Sequence, residues 1–511
     1  MRLPALLCAC AALTAACGTL PSLQDRPPST VLANTADTRL GRVVGPMAAA
    51  HPGTSGIYPL RDARDAFAAR VQLAQAAERS LDVQYYIWHK DMTGTVLFDA
   101  LRAAADRGVR VRLLLDDNNT VGLDPVLAGL DAHPNIEVRL FNPFTVRQPR
   151  WLGYLTDFGR ANRRMHNKSF TADNQVTIVG GRNVGDEYFG ATNGMLFLDL
   201  DVMAVGPVAQ AVSEDFDRYW ASPSSYPVEH LLPPAAPTAL SDLLAESRAI
   251  GQQPAMRDYA RALRESPFVR ALTEATLPLE WVVTRMVSDD PAKGLNGAAP
   301  DSLVRDKLKA IIGIPVSRVS LVSPYFVPTD SGVALFANMA RHGVDIQILT
   351  NSLEATDVPA VHAGYAKRRK ALLASGIRLY ELRRLLPRLQ EERDPGRLGS
   401  SSASSLHAKT FAVDRSRVFV GSFNFDPRSS LLNTEMGFVI DSARMARQVD
   451  DAFAGPIPRD AYQVLLAPDG RPVWIERTDG EEVRHYSEPG AGLWQRFSVW
   501  VLSLLPIESL L

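Results

Sequence analysis

One motif occurs twice in this chain, and the duplication constrains everything else. His166-Asn-Lys168-Ser-Phe-Thr-Ala-Asp173 is matched by His407-Ala-Lys409-Thr-Phe-Ala-Val-Asp414, both reading His-x-Lys-x4-Asp. A glycine turn and an asparagine follow each copy, Gly180-Gly181-Arg182-Asn183 and Gly421-Ser422-Phe423-Asn424. The distance from His to Asn is 17 residues in both (166 to 183, 407 to 424). The flanks repeat in the same order. Leu81 to Ile87 and Val319 to Ser323 read as strands. Gly94 to Arg107 and Ser331 to Arg341 read as helices closed by Gly108 and Gly343. Val109 to Leu115 and Val344 to Thr350 read as second strands, stopped by Asp116-Asp117-Asn118-Asn119 and by Asn351. The offsets between copies are 238, 235 and 241 (81 to 319, 109 to 344, 166 to 407). Near-constant offsets imply one α/β unit present twice. Apolar strands alternating with helices predict a sheet covered on both faces in each half.

At 511 residues the chain exceeds what a single core usually organises, which agrees with two halves. The expected layout is a signal peptide over 1–17, a tether over 18–54, a first half over 55–220, an insert or connector over 221–300, a second half over 301–465 and a C-terminal tail over 466–511. A helix is expected from Asp62 to Ser80, and a loop from Gly396 to Ser405. All three cysteines, Cys8, Cys10 and Cys17, fall in the first segment. It has a charged start, an apolar run and small residues before Cys17, the pattern of an exported protein. A Cys placed straight after Ala15-Ala16 marks Cys17 as a lipidation candidate, against a plain signal peptide or an uncleaved anchor. The tail ends in an apolar, aromatic stretch with Trp494, Phe497 and Trp500. Two readings stand for it, a terminal helix packed on the core and an interfacial segment resting in lipid.

The repeated residues are the equipment for phosphodiester chemistry. One histidine attacks phosphorus while the other, protonated, donates to the leaving oxygen; the roles then reverse for an incoming alcohol. Imidazole suits both tasks because its ordinary pKa of about 6.5 makes either form accessible near neutrality. Lys168 and Lys409 neutralise the non-bridging oxygens, with Asn183, Asn424 and Ser422 as neutral donors. No metal and no cofactor is required by such a site. In a strand, His166 and Lys168 face one side, as do His407 and Lys409. Asp173 and Asp414, on the opposite parity, read as structural acceptors for backbone or a neighbouring cation. A nucleophilic imidazole needs an acceptor on its other nitrogen. Glu435 is expected to serve His407, and Asp199, with Asp201 as the alternative, to serve His166. His133 and His342, at expected helix ends, read as structural. For His362, a structural role and a substrate contact both stand. The basic runs 160–164 and 367–370 read as solvated faces, with use on anionic headgroups as the alternative.

With this pair of motifs the chain resembles the phospholipase D superfamily. The stretches Leu81-Asp-Val-Gln-Tyr-Tyr-Ile-Trp88, Leu113-Leu-Leu-Asp-Asp-Asn-Asn119, Ser323-Pro-Tyr-Phe-Val-Pro328, Val361-His-Ala-Gly-Tyr365 and Phe423-Asn-Phe-Asp-Pro-Arg-Ser429 are similar, within it, to the bacterial cardiolipin synthase C group. The resemblance implies two pseudo-symmetric α/β sandwich halves sharing one active site at their interface. It implies a phosphatidyltransferase using phosphatidylglycerol and a second phospholipid, phosphatidylethanolamine or phosphatidylglycerol, at a membrane surface. It also implies His166 as nucleophile and His407 as general acid. The alternatives are a phospholipase D releasing phosphatidic acid, a nuclease of the same superfamily, and a non-catalytic envelope lipoprotein. Lys+Arg of 55 against Asp+Glu of 56 argues against a nucleic-acid partner. Two complete motifs argue against a scaffold, which has no need of four aligned cations. No protein partner is defined by the sequence.

Overall fold

The computed structural model describes residues 20–192, 195–384, 403–478 and 480–511. Cys8, Cys10 and Cys17, and with them the expected signal peptide, lie outside these, as do residues 396–402 of the expected loop.

Two mixed sheets carry the duplication. The first has nine strands in the order Glu280–Val282, Ser55–Leu60, Asp201–Val205, Val176–Gly180, Ser169–Ala172, Ser80–Ile87, Arg110–Asn119, Ile136–Phe141, Ser225–Pro227. The second has ten, in the order Thr284–Ser288, Met436–Ile440, Arg417–Gly421, Lys409–Val413, Arg318–Val322, Asp345–Asn351, Arg378–Leu382, Ala461–Leu466, Pro472–Thr478, Glu481–His485. Strand by strand from Ser55–Leu60 and from Thr284–Ser288 the two orders coincide. In each, the strand behind the motif pairs antiparallel with the first repeated strand (Phe170 opposite Val83, Phe411 opposite Leu321).

Alternation along the hairpin strands divides their side chains between two cores. Ile178 and Met203 join the first half's own core with Phe67, Leu97 and Phe98 from its helices. Val179, Val202 and Ala204 point the other way and merge with Ala412, Val418, Val420, Phe438 and Ile440 of the second half. This shared cluster fuses the halves sheet against sheet and covers the remaining face of each.

Several boundaries differ from expectation. Residues 20–54 are not a free tether. The guanidinium groups of Arg110, Arg112 and Arg139 hold the carbonyls of Thr30, Ser29 and Pro27 at 2.7, 3.1 and 2.9 Å, and Arg39–Ala49 is a helix capped by the Thr38 hydroxyl. The connector 221–300 holds three α-helices and also gives two edge strands to the first sheet, Ser225–Pro227 and Glu280–Val282, and one to the second, Thr284–Ser288. Pro472–Thr478 and Glu481–His485 of the expected tail are two further strands of the second sheet. The strand Arg110–Asn119 runs through the acidic-amide run expected to stop it. There Asp116 accepts from the Met165 N–H at 2.7 Å and Asp117 from the Phe144 N–H at 2.8 Å, so burying these side chains leaves no carboxylate unpaired. Ala403–Leu406, expected within a loop, is a strand paired in parallel with Met195–Leu198 of the other half.

Candidate active site

Each motif histidine sits just ahead of a strand, not inside it: Ser169–Ala172 and Lys409–Val413 begin two or three residues later. The two side chains still share one side because each lysine folds back. Lys168 Nζ donates to the His166 carbonyl at 2.6 Å, and Lys409 Nζ to the carbonyl of His407. Phe170 and Phe411 point into the cores of their own halves.

The acceptor assignment expected from sequence is corrected by the structure. Glu435 belongs to His166, with His166 Nδ1 2.9 Å from Glu435 Oε2. Asp199 belongs to His407, with His407 Nδ1 2.5 Å from Asp199 Oδ2. Each carboxylate precedes the equivalent strand of its own half and crosses to the histidine of the other. The backbone crosses too, since the His166 N–H donates to the Thr434 carbonyl at 2.8 Å and the His407 N–H to Leu198 at 2.9 Å. Asp201, the alternative, is held by Arg70 at 2.8 Å and Arg182 at 3.6 Å and serves neither histidine.

The longer glutamate and the shorter aspartate are housed differently at matched positions. Ser422 donates to Glu435 Oε2 at 2.5 Å and Ser429 to Oε1 at 2.7 Å. Ser422 is therefore an orienter of Glu435 and not the phosphoryl donor its position suggested. Its counterpart is Gly181, where a Cβ would stand 2.1 Å from Asp199 Oδ1, so the aspartate fills the room that a side chain would take. The counterpart of Ser429 is Tyr188, whose ring meets His407 at 5.2 Å, while Tyr86 meets His166 at 4.9 Å. Sequence reasoning missed both tyrosines and Ser429, although Tyr86 and Ser429 lie within quoted stretches.

Electrostatics makes the two dyads unequal. Both histidines are 6% exposed and both lysines less. Burial, then the lysines, pushes His166 well below the usual histidine value. Burial lowers His407 also, but Asp199 opposes it. Asp199 is itself held below the usual carboxylate range by His407, Lys409 and Arg182 in spite of its burial. Burial instead raises Glu435 to about 7. Burial and the charge of Lys409 lower Lys168 to about 7, and burial lowers Lys409 to about 8. Asn183 accepts from the Ile87 N–H at 3.1 Å and keeps Nδ2 buried without a partner; Asn424 likewise has Oδ1 without one. The buried Asn183 Nδ2, a donor beside the two lysines, suits an anionic ligand.

The motif aspartates face away from this centre. Asp173 accepts from the N–H groups of Glu78, Arg79 and Ser80 at 2.8 to 3.0 Å, and Asp414 from those of Val316, Ser317 and Arg318. His362 is buried between Glu488 and Arg369 and is structural. Within the basic runs, Arg164 pairs with Asp116, and Arg369 with Glu381 and Glu488, so neither is a free headgroup contact.

Residues 71–220 and 308–456 match the family model described as cardiolipin synthase, PLD-like domain. The chain is 52% identical over 473 residues to cardiolipin synthase C of Escherichia coli (strain K12), covering 93% of this chain and 100% of that protein. It is 25% identical over 414 residues to cardiolipin synthase B of Salmonella typhimurium, covering 81% and 83%. The crystal structure of phosphatidylserine synthase from Haemophilus influenzae shares the fold, with a TM-score of 0.55 at 12% identity over 93% of this chain and 100% of that one.

Proposed function

Since the chain belongs to the phospholipase D-like cardiolipin synthase family, we propose that it transfers a phosphatidyl group to phosphatidylglycerol, making cardiolipin through a phosphohistidine. The observation that carries this is the pair of crossed histidine–carboxylate dyads meeting with two lysines at one buried centre.

The inequality of the dyads supports one division of roles. An ionised Asp199 favours the imidazolium of His407, the form a general acid needs. His166, pressed towards the neutral form beside a carboxyl of weakened charge, has a free nitrogen lone pair for attack. His166 Nε2 forms a bond to phosphorus of the donor lipid as the bond from phosphorus to the headgroup oxygen breaks. His407 gives its proton to that oxygen, releasing ethanolamine from phosphatidylethanolamine or glycerol from phosphatidylglycerol. Neutral His407 next takes the proton from the primary hydroxyl of the acceptor phosphatidylglycerol. That oxygen attacks phosphorus, the N–P bond breaks, and cardiolipin leaves. Lys168 and Lys409 hold the non-bridging oxygens throughout, and an anion between them restores their charged forms. Exclusion of water from so closed a centre favours a positioned alcohol over hydrolysis.

The protein works at the membrane. No helix among the described residues is long and apolar enough to cross it, and lipidation of Cys17 supplies the attachment in this reading. Thin-layer analysis of lipids after incubating purified protein with phosphatidylglycerol, alone and with phosphatidylethanolamine, is the test. Cardiolipin with free glycerol or ethanolamine supports transfer. Phosphatidic acid as the sole product establishes a hydrolase instead.

A further inference from the structure

Two exposed apolar ridges flank the turn that follows the second motif. The helix Leu493–Leu504 rests on the protein through Val499, 8% exposed, and Leu502, which meet Leu353, Ala363 and Ala491. Its other side holds Trp494 at 80%, Phe497 at 52%, Trp500 at 58% and Leu504 at 66% exposure. Spacings of three and four place these residues in one stripe. One face of the segment thus packs on the core, as the first expected alternative has it, and the other face is bare. The second ridge spans the helices Trp151–Thr156 and Phe158–Ala161, where Trp151 is 61%, Leu155 74% and Phe158 48% exposed. Single exposed hydrophobics are ordinary on a protein surface; clustered Trp, Phe and Leu side chains are not.

Both ridges are fastened to Arg428, four residues past Asn424. Its N–H donates to the Leu511 oxygen at 2.7 Å and its Nε to the Leu510 carbonyl at 3.0 Å, which fixes the C-terminal segment. Its Nη atoms donate to the carbonyl and side-chain oxygens of Asn162 at 3.1 and 2.6 Å, which fixes the end of Phe158–Ala161. Tyr154, between Trp151 and Leu155, donates to Asn118 at 2.7 Å. Tyr86, whose ring stands on His166, feels the charge of Arg428. The ridges therefore border the side of the site where Tyr86 and Arg428 stand.

We propose that Trp151, Leu155 and Phe158 together with Trp494, Phe497, Trp500 and Leu504 form one docking face for a phospholipid bilayer, which sets the cleft over the headgroups. The inference rests on the transferase reading, in which the reacting phosphate lies at headgroup level. The chemistry fits that occupant. Trp presents an apolar body and a polar N–H, the combination favoured at a membrane–water boundary. A helix of 12 residues is too short to span, so it lies in the plane of the interface.

The test uses full-length protein and vesicles of phosphatidylglycerol and phosphatidylethanolamine with brominated acyl chains. Tryptophan emission is quenched on binding, and most of the quenching disappears in W151F/W494F/W500F, which keeps the ridges apolar. Unchanged quenching in that variant overturns the proposal. In a second arm, W494S/F497S/W500S and W151S/L155S/F158S each lower turnover on vesicles about tenfold or more, as expected from losing several buried apolar side chains. Turnover of short-chain phospholipids below their micelle concentration stays at the wild-type level. Equal losses on both substrates overturn the proposal. So does a dimer by sedimentation that the Ser variants dissolve without slowing vesicle turnover, since the ridges are then a contact between two copies. Wild-type protein that transfers phosphatidyl groups between short-chain lipids keeps the transferase reading intact whichever way the ridges decide.

Discussion

Asp199→Asn is the sharpest probe of the crossed dyads. It removes a negative charge whose oxygen lies 2.5 Å from His407 Nδ1. Two unit charges about 4 Å apart at an effective dielectric constant of about 20 interact by about 4 kcal/mol. Once the longer distance between charge centres is allowed for, the imidazolium of His407 loses about 3 to 4 kcal/mol of support, a factor of about 10² to 10³ at about 1.4 kcal/mol per tenfold. The direction is downward, because Asp199 is the group opposing the burial that already lowers His407. Fewer molecules then carry the proton needed by the leaving oxygen. The alkaline limb of kcat/KM moves to lower pH, and turnover near neutrality falls about 10²- to 10³-fold. Glu435→Gln, at the other dyad, leaves that limb in place, because Glu435 is bonded to His166 and is pushed up to about 7. Nitrogen NMR of labelled histidine, with His407 assigned by its loss in His407→Ala, follows the ring directly. A His407 titration unmoved by Asp199→Asn but shifted by Glu435→Gln would refute the pairing and everything drawn from it.

Four further outcomes follow from the geometry. His166→Ala and His407→Ala each abolish transfer, and the double variant is little worse than either single one; substantial turnover in both singles rules out a phosphohistidine. Lys168→Met costs about 10²- to 10³-fold in turnover, yet raises the melting temperature more at pH 6 than at pH 9. Its folded value of about 7 lies below the unfolded value of about 10.4, so the burial penalty is complete below pH 7 and fades as pH rises between the two; equal changes at both pH values contradict a charged buried lysine. Asp173→Asn loses about 1 to 3 kcal/mol of stability in denaturant titrations because the carboxylate serves three N–H groups, while kcat of the folded fraction stays near wild type; a stable but inactive variant reverses that reading. Gly181→Ser, which copies the second half's residue into the first, inactivates the enzyme because its Cβ collides with Asp199, and unimpaired turnover shows that Asp199 is placed otherwise.

The sequence made some of this legible and hid the rest for physical reasons. Periodicity and glycine stops located the repeated strands and helices because those signals are local. The motif residues were legible because their chemistry has few other uses. Residues 20–54 looked like a tether because their order comes from Arg110, Arg112 and Arg139 holding backbone carbonyls, and carbonyls leave no side-chain signature. The dyads were misassigned because Glu435 lies 28 residues from His407 in sequence (407 to 435), and nearness along a chain suggests nearness in space. A pseudo-twofold arrangement inverts that relation at the axis, where equivalent residues of opposite halves meet. Ser422 was misjudged for a related reason, since its partner Glu435 arrives from the strand after the turn.

The crossing of Glu435 and Asp199 also bears on what a half of this protein is. Neither half owns a complete acid–base pair, and each keeps the imidazole that the other must tune. A half expressed alone holds a histidine with no carboxylate on its Nδ1 and a carboxylate with no imidazole to hold. Two separately expressed halves regain both pairs only by docking through the shared cluster of Val179, Val202, Val420 and Phe438. Apolar contact at that seam and the protonation states at the site are thus coupled, and a cavity opened in the seam would surface as a displaced pH profile before it surfaced as an unfolded protein.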